Sequence, residues 1–232
     1  MNLRDRYLGV LAEIGAAAAA AGRRADEVNL IAVSKTHPVS LVDELAALGQ
    51  VDFAENRIAE LAAKQSDTKA TQSQWHLIGQ LQTNKVKLLT RETILHSLDR
   101  ASLAEKLQQQ FASVSIRCLI QVNCSGEASK SGVAPADFDA LVDVVAKQPA
   151  IEVLGLMTMA EHSEDEVVIR RAFADLRQLS ERLAAQQIFA GYKGWLSMGM
   201  SADFRHAIAE GATHVRVGNA IFGSRQITSA AG

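Results

Sequence analysis

The sequence predicts a (β/α)8 barrel, and three observations carry that prediction. Eight short, apolar, β-rich runs recur along the chain, and segments with helical spacing lie between them. Dividing 232 residues among eight repeats leaves 29 for each, close to the roughly 30 residues of one βα unit. Regular alternation of strand and helix argues for a parallel sheet, because parallel neighbours need a crossover between them. A barrel closes that sheet on itself. An open doubly wound sheet is the alternative, but it ordinarily carries a glycine-rich first turn, and no GxGxxG occurs.

The elements follow in order. A helix over Leu3 to Ala21 precedes the first strand, so it has to pack outside the barrel or plug its bottom. Strands are expected at NLIAVS (29–34), VDFA (51–54), WHLIG (75–79), TILHSL (93–98), RCLIQVN (117–123), IEVLGLM (151–157), GWLSMG (194–199) and THVRVG (213–218). Each is short, apolar and rich in β-branched or aromatic residues. Between them, SLVDELAALG, AENRIAELAAK, RASLAEKLQQQF, APADFDALVDVVAK, EVVIRRAFADLRQLSERLAA and SADFRHAIAEG repeat apolar residues three and four apart, the signature of a helix buried along one face. No linker rich in Pro, Gly or Ser interrupts the series, so residues 1–232 are expected to form a single domain.

Composition narrows the function. With 48% hydrophobic and 22% charged residues the chain is an ordinary globular protein. Its 26 acidic and 24 basic residues leave a net charge of −2, which gives no broad attraction for a nucleic-acid backbone or an anionic bilayer. No apolar stretch approaches a membrane span and no signal peptide is evident, so a cytoplasmic protein without nucleic-acid or membrane partners is expected. The two cysteines, Cys118 and Cys124, would stand roughly 20 Å apart if both lie in one strand, beyond disulfide reach. Six histidines are scattered without HxH, HExxH or CxxC spacing, so no metal site is expected.

In a barrel, chemistry collects where strands end. Lys35 stands there, in IAVSKTHP, with Pro38 opening the next helix; such a lysine is either an ordinary solvated rim residue or a Schiff-base former. At the other end of the chain, LSMGMSADF and VRVGNAIFG place glycine-containing turns after the seventh and eighth strands, where barrels bind phosphate. Ser197, Gly199, Met200 and Ser201 come from one loop and Gly218 and Asn219 from the other, with Ser201 also a candidate N-cap for ADFRHAIAEG. Read singly, these are turn glycines and a helix cap; both loops together with Lys35 suggest a phosphorylated aldehyde, with pyridoxal 5'-phosphate leading. A Walker-type reading of Gly218 to Ser224 fails, because serine stands where lysine is required.

The segments AVSKTHPV, FAENRIAE, WHLIGQLQTNKVK, HSLDR, LIQVNCSGEASKSGV, LGLMTM and LSMGMSADFRHAIAEGATHVRVGNAIFG resemble the YggS/PROSC family of pyridoxal-phosphate homeostasis proteins, from Asn29 to Gly223. The resemblance implies a fold-type III barrel like the N-terminal domain of alanine racemase, lacking the C-terminal β domain, that binds pyridoxal 5'-phosphate without an established reaction. It places Lys35 at the Schiff-base position, Ser201, Gly218 and Asn219 at phosphate contacts, and Arg216 near the pyridine nitrogen. Because a guanidinium only donates, that nitrogen would stay an unprotonated acceptor and the cofactor a weak electron sink. Asn56, His76 and Gly79 resemble further pocket positions and Met200 reads as a pocket wall, although His76 beside Trp75 reads equally well as a core histidine. Met198 reads as packing, Asn84 and Lys85 as edging the same face, and Lys130 as a solvated loop lysine that could meet a second anion. His37, Arg57, Gln80 and Asn219 depart from the family's usual lysine, tyrosine, proline and threonine.

The expected function is therefore storage, buffering or delivery of pyridoxal phosphate in a monomer, with apo forms of cofactor-dependent enzymes as recipients. The alternative is an amino-acid racemase, which needs a base on each face of the ring, whereas the only tyrosines, Tyr7 and Tyr192, lie in the first helix and before the seventh strand. A Schiff-base aldolase would share the lysine and the phosphate loops, but no relay carboxylate is evident.

Overall fold

The computed structural model describes residues 2–127, 130–161, 163 and 165–223. Eight parallel strands close into a barrel in the order β1 to β8, with β8 pairing β1 through Leu30 opposite Val215 and Ala32 opposite Val217. The (β/α)8 expectation is met.

Helix α1 (Leu3–Ala20) starts at Asn2, whose side chain accepts the Asp5 N–H at 2.8 Å. It neither plugs the barrel nor stands apart. Leu3, Tyr7, Val10, Ile14 and Ala18 recur on one face and are buried, and that face packs against the last two helices of the ring. Strand β1 (Asn29–Val33) leads to α2 (Val39–Ala47), capped by Pro38; β2 (Asp52–Glu55) leads to α3 (Ile58–Asp67); β3 (Gln74–Leu77) is followed by a 3-10 helix over Thr83–Leu88. Then come β4 (Thr93–Leu98), α4 (Ala101–Gln110), β5 (Ile116–Gln121), α5 (Phe138–Val145), β6 (Ile151–Met157), α6 (Glu166–Gln186), β7 (Trp195–Met200), α7 (Phe204–Ala209), β8 (His214–Val217) and the one-turn α8 (Asn219–Phe222).

Most strands shift by a residue or two from the sequence reading, and two differences bear on the site. The helix expected from Ala54 begins at Ile58, because Ala54 and Glu55 are still strand and Asn56 and Arg57 form the turn. Ser201 is not the cap of α7. That place belongs to Asp203, whose side chain accepts the Met200 N–H at 2.5 Å and so ties the loop back to the end of β7.

The main core fills the space between the strands and the helical ring, with Phe53, Phe138 and Phe173 among its fully buried side chains. Two smaller apolar clusters are separate from it, Ile31, Val33 and Ala54 in one and Ile94, Leu119, Leu154 and Met157 in the other. Side chains two apart on a strand share a face, so His96 lies on the same face of β4 as Ile94. Cys118 and Cys124 are both free. Among the described residues no helix is long and apolar enough to cross a membrane.

Candidate functional site

A cavity of about 580 Å³ opens at the C-terminal ends of the strands, where a barrel's variable loops meet. Of the residues singled out in the sequence, Lys35, Asn56, Gly79, Met200, Ser201, Arg216, Gly218 and Asn219 all line it. They come from the ends of β1, β2, β3, β7 and β8, which only barrel closure brings together.

Lys35 is the second residue beyond β1 and is half buried. Among the described residues it forms neither an ion pair nor a hydrogen bond to a side chain, so its amine is uncommitted at the cavity wall. Arg216 is in the opposite situation. It is 3% exposed, its Nη1 donates to Ser197 Oγ at 2.7 Å and its Nη2 to the Thr158 carbonyl at 3.0 Å. No described carboxylate pairs with it, and burial lowers its pKa to about 10 against the opposing pull of Asp203. The cavity thus presents an uncommitted lysine and a buried, hydrogen-bonded arginine.

The loops after β7 and β8, which adjoin Lys35 because β8 pairs β1, are shaped by their glycines. Gly199 has φ +89, and a Cβ there would stand 2.6 Å from the Ala207 Cβ, so only glycine lets β7 turn so close to α7. At Gly218 a Cβ would meet the Val33 carbonyl oxygen at 3.0 Å. These turns leave Ser201 and Asn219 exposed at the rim.

His76 is not brought to this group. It is fully buried below the cavity, and both ring nitrogens are taken, Nδ1 by His96 Nε2 at 2.8 Å and Nε2 by Asp52 Oδ1 at 2.9 Å. His96 Nδ1 lies 3.0 Å from Ser197 Oγ, so an unbroken chain runs from Arg216 through Ser197, His96 and His76 to Asp52. Its direction follows from its ends. A guanidinium only donates and a carboxylate only accepts, so with both imidazoles neutral Ser197 donates to His96, His96 to His76 and His76 to Asp52. Burial first, then the neighbouring His76, Arg216 and His214, hold the His96 pKa well below its ordinary value. His214 lies against Trp195 with ring centroids 4.2 Å apart, and burial pushes its pKa down to about 3.

Sequence reasoning missed the wall formed by Gln121, Met157, Glu161 and Asp203. Gln121 and Met157 are the last residues of β5 and β6, so their position alone was a usable signal. Gln80 donates to Gln121 at 3.0 Å, and Gln121 in turn donates to the Ser131 carbonyl at 3.0 Å, which ties the loops after β3 and β5 together. Lys130 lines the cavity beside Ser131 and lies 3.9 Å from Glu127, whereas Asn84 and Lys85 do not reach it. Ala128 and Ser129 of the same loop, and Ser224 beyond α8, lie outside the described residues. Among the described residues no cluster of metal-ligating side chains occurs.

Fold and cavity together define a barrel of the alanine racemase N-terminal type: residues 11–226 match the family described as alanine racemase, N-terminal domain. Within that class, the chain belongs to the family of pyridoxal phosphate homeostasis proteins. The protein of that name from Aquifex aeolicus (strain VF5) is 40% identical over 229 residues, spanning 97% of this chain and 100% of that one. Its counterpart from Pseudomonas aeruginosa is 41% identical over 227 residues, 97% of this chain and 96% of the relative. Among solved structures, PipY of Synechococcus elongatus PCC7942 with pyridoxal phosphate bound superposes with a TM-score of 0.76 at 35% identity, over 85% of this chain and 93% of that one. Alanine racemase from Corynebacterium glutamicum, 19% identical, shares the fold with a TM-score of 0.71 over 96% of this chain and 62% of its own.

Proposed function

We propose that this chain binds pyridoxal 5'-phosphate in the barrel-mouth cavity, holds it reversibly as a Schiff base on Lys35, and serves cofactor homeostasis by storage, buffering or delivery. The observation that carries this reading is the pairing of an uncommitted lysine with a buried arginine that has no carboxylate partner among the described residues, on one cavity of about 580 Å³. A phosphorylated pyridine aldehyde suits that donor set. Its aldehyde carbon condenses with an amine and releases water, a C=N bond replacing C=O.

The residues then divide the work. Lys35 supplies the amine. Arg216, which can only donate, faces the ring nitrogen and leaves it without a proton of its own, which limits the cofactor's capacity to withdraw electrons. Ser201, Gly218 and Asn219, from the loops after β7 and β8, hold the phosphate, while Asn56 and Met200 form walls. The homeostasis names of the relatives and the cofactor in PipY support the assignment.

A carrier is favoured over a racemase by what faces Lys35. Among the described residues the lining holds no tyrosine, histidine or cysteine to act as a second base, and of its other titratable groups besides Lys35 and Arg216, Asp203 accepts the Met200 N–H and Lys130 lies 3.9 Å from Glu127, which leaves Glu161 as the one to be weighed. Tyr7 is buried in α1, and Tyr192 bonds Ser180 at 2.7 Å with its pKa pushed up to about 12 by burial. Cytoplasmic residence, a monomeric state and direct hand-over to apo-enzymes belong to the same proposal.

The test is titration with pyridoxal phosphate followed by absorbance, borohydride trapping and peptide mapping. The expected result is a Schiff-base band and a trapped adduct at Lys35, both lost in Lys35→Ala; a band that survives the substitution refutes the assignment. Loaded protein is then incubated with amino acids in deuterated water. Absence of α-proton exchange is expected, and lysine-dependent exchange at enzymatic rates would replace the carrier by a racemase.

A further inference from the structure

The structure assigns Glu55, Glu60 and Lys64 as positioning residues that clamp the backbone on both sides of Lys35. The inference rests on the proposed role of Lys35.

Three groups flank that lysine, and this cluster holds all three. The Ser34 hydroxyl donates to Glu55 Oε1 at 2.7 Å, the Ser34 carbonyl accepts from Lys64 Nζ at 2.8 Å, and the Thr36 N–H donates to Glu60 Oε1 at 2.6 Å. Lys64 joins the two halves, bonding Glu55 at 2.5 Å and Glu60 at 3.0 Å. None of the three cluster residues lines the cavity. They reach it only through the residues beside Lys35.

Two further observations set this cluster apart from an ordinary salt bridge. Thr36 is one of two described residues other than glycine with positive φ, at +66, a conformation that a threonine keeps only when its surroundings hold it. The Glu60 contact to its N–H is that hold. The Glu55 and Lys64 side chains are 0% and 8% exposed, and Glu55 Oε2 has no hydrogen-bond partner. A buried ion pair with an orphaned oxygen is a poor way to gain stability, since apolar packing commonly does as well or better. Aiming the β1 to α2 turn is a use that apolar packing would not serve, because it supplies no acceptor for a backbone N–H and no donor for a carbonyl. The clamp therefore sets where the lysine stem starts and which way it leaves the barrel, so that its amine meets the aldehyde of a ligand whose phosphate sits on the neighbouring loops after β7 and β8.

Glu60 is the residue to test, because its side chain is one-quarter exposed and its removal leaves Glu55 still paired with Lys64. The measurement is the rate of Schiff-base formation by full-length apo-protein, read by stopped-flow absorbance with pyridoxal phosphate and separately with pyridoxal, which lacks the phosphate. Competition by inorganic phosphate and the melting temperature are recorded alongside. In Glu60→Ala both aldehydes should react at least about tenfold more slowly, the cost of a misplaced reacting group, while phosphate competition stays as in the wild type. Glu60→Gln, which keeps an acceptor for the Thr36 N–H, should recover the rate to within about threefold. Wild-type rates in Glu60→Ala, or a parallel loss of phosphate affinity, would overturn the clamp while leaving the Lys35 assignment standing. Trapping that persists in Lys35→Ala would remove both.

Discussion

Acidification reports on the buried imidazoles. In the unfolded chain a histidine binds its proton near the ordinary value of 6.5, whereas in the folded protein burial, aided by the neighbouring His76, pushes His214 down to about 3 and holds His96 well below as well. A folded pKa below the unfolded one means stability that is complete above pH 6.5 and lost as the pH falls toward the folded value. For His214, proton uptake by the unfolded chain alone costs about 2 kcal/mol between about pH 7 and about pH 5. His96 adds a loss of the same sign. The assay is urea denaturation at both pH values, comparing wild type with His214→Phe, which retains a ring against Trp195 and leaves the Thr213 hydroxyl bonded to the Leu196 backbone. The stability gap between the two proteins should narrow by about 2 kcal/mol on acidification, because the variant no longer carries that group. A gap that is the same at both pH values would refute the claim that His214 is folded as a neutral imidazole.

Two further outcomes follow from the site. Replacing Arg216 by Gln removes a charge-assisted donor and should weaken pyridoxal phosphate binding by roughly 10- to 100-fold with little change in fold, measured by equilibrium titration of the absorbance band. Gly199→Ala should lower stability by at least about 2 kcal/mol, since it adds both a positive-φ penalty and a contact with Ala207, and thermal unfolding reads it directly.

The fold was largely legible because its signal is periodic. IEVLGLM coincides with β6 residue for residue, and TILHSL with β4. Where reading failed, the cause was a contact distant in sequence. AENR reads as the start of a helix because a glutamate is a poor strand residue, yet Glu55 is a buried strand residue, stabilised there by a lysine nine positions later. The connection after β3 lacks a full α-helix, as QTNKVKL shows no apolar stripe. Within the site, Lys35, Arg216 and the two glycine loops were accessible through one rule, that barrels place chemistry at strand ends. His76 was not, because its partners Asp52 and His96 stand on the neighbouring strands β2 and β4 and meet it only through the register of strand pairing.

The polar chain inside that barrel has a statistical consequence. Networks of hydroxyls and waters can flip their donors collectively, as in ice, and so carry residual proton disorder. Here the terminal guanidinium and carboxylate leave the neutral chain a single proton arrangement, so the interior offers the cavity a steady dipole with no such disorder. A proton added to His76 Nδ1 could be accommodated only by turning His96 from donor to acceptor on that side, which would hand a second donor to Ser197 next to Arg216. The barrel floor and the cavity are therefore joined as two ends of one discrete set of proton configurations.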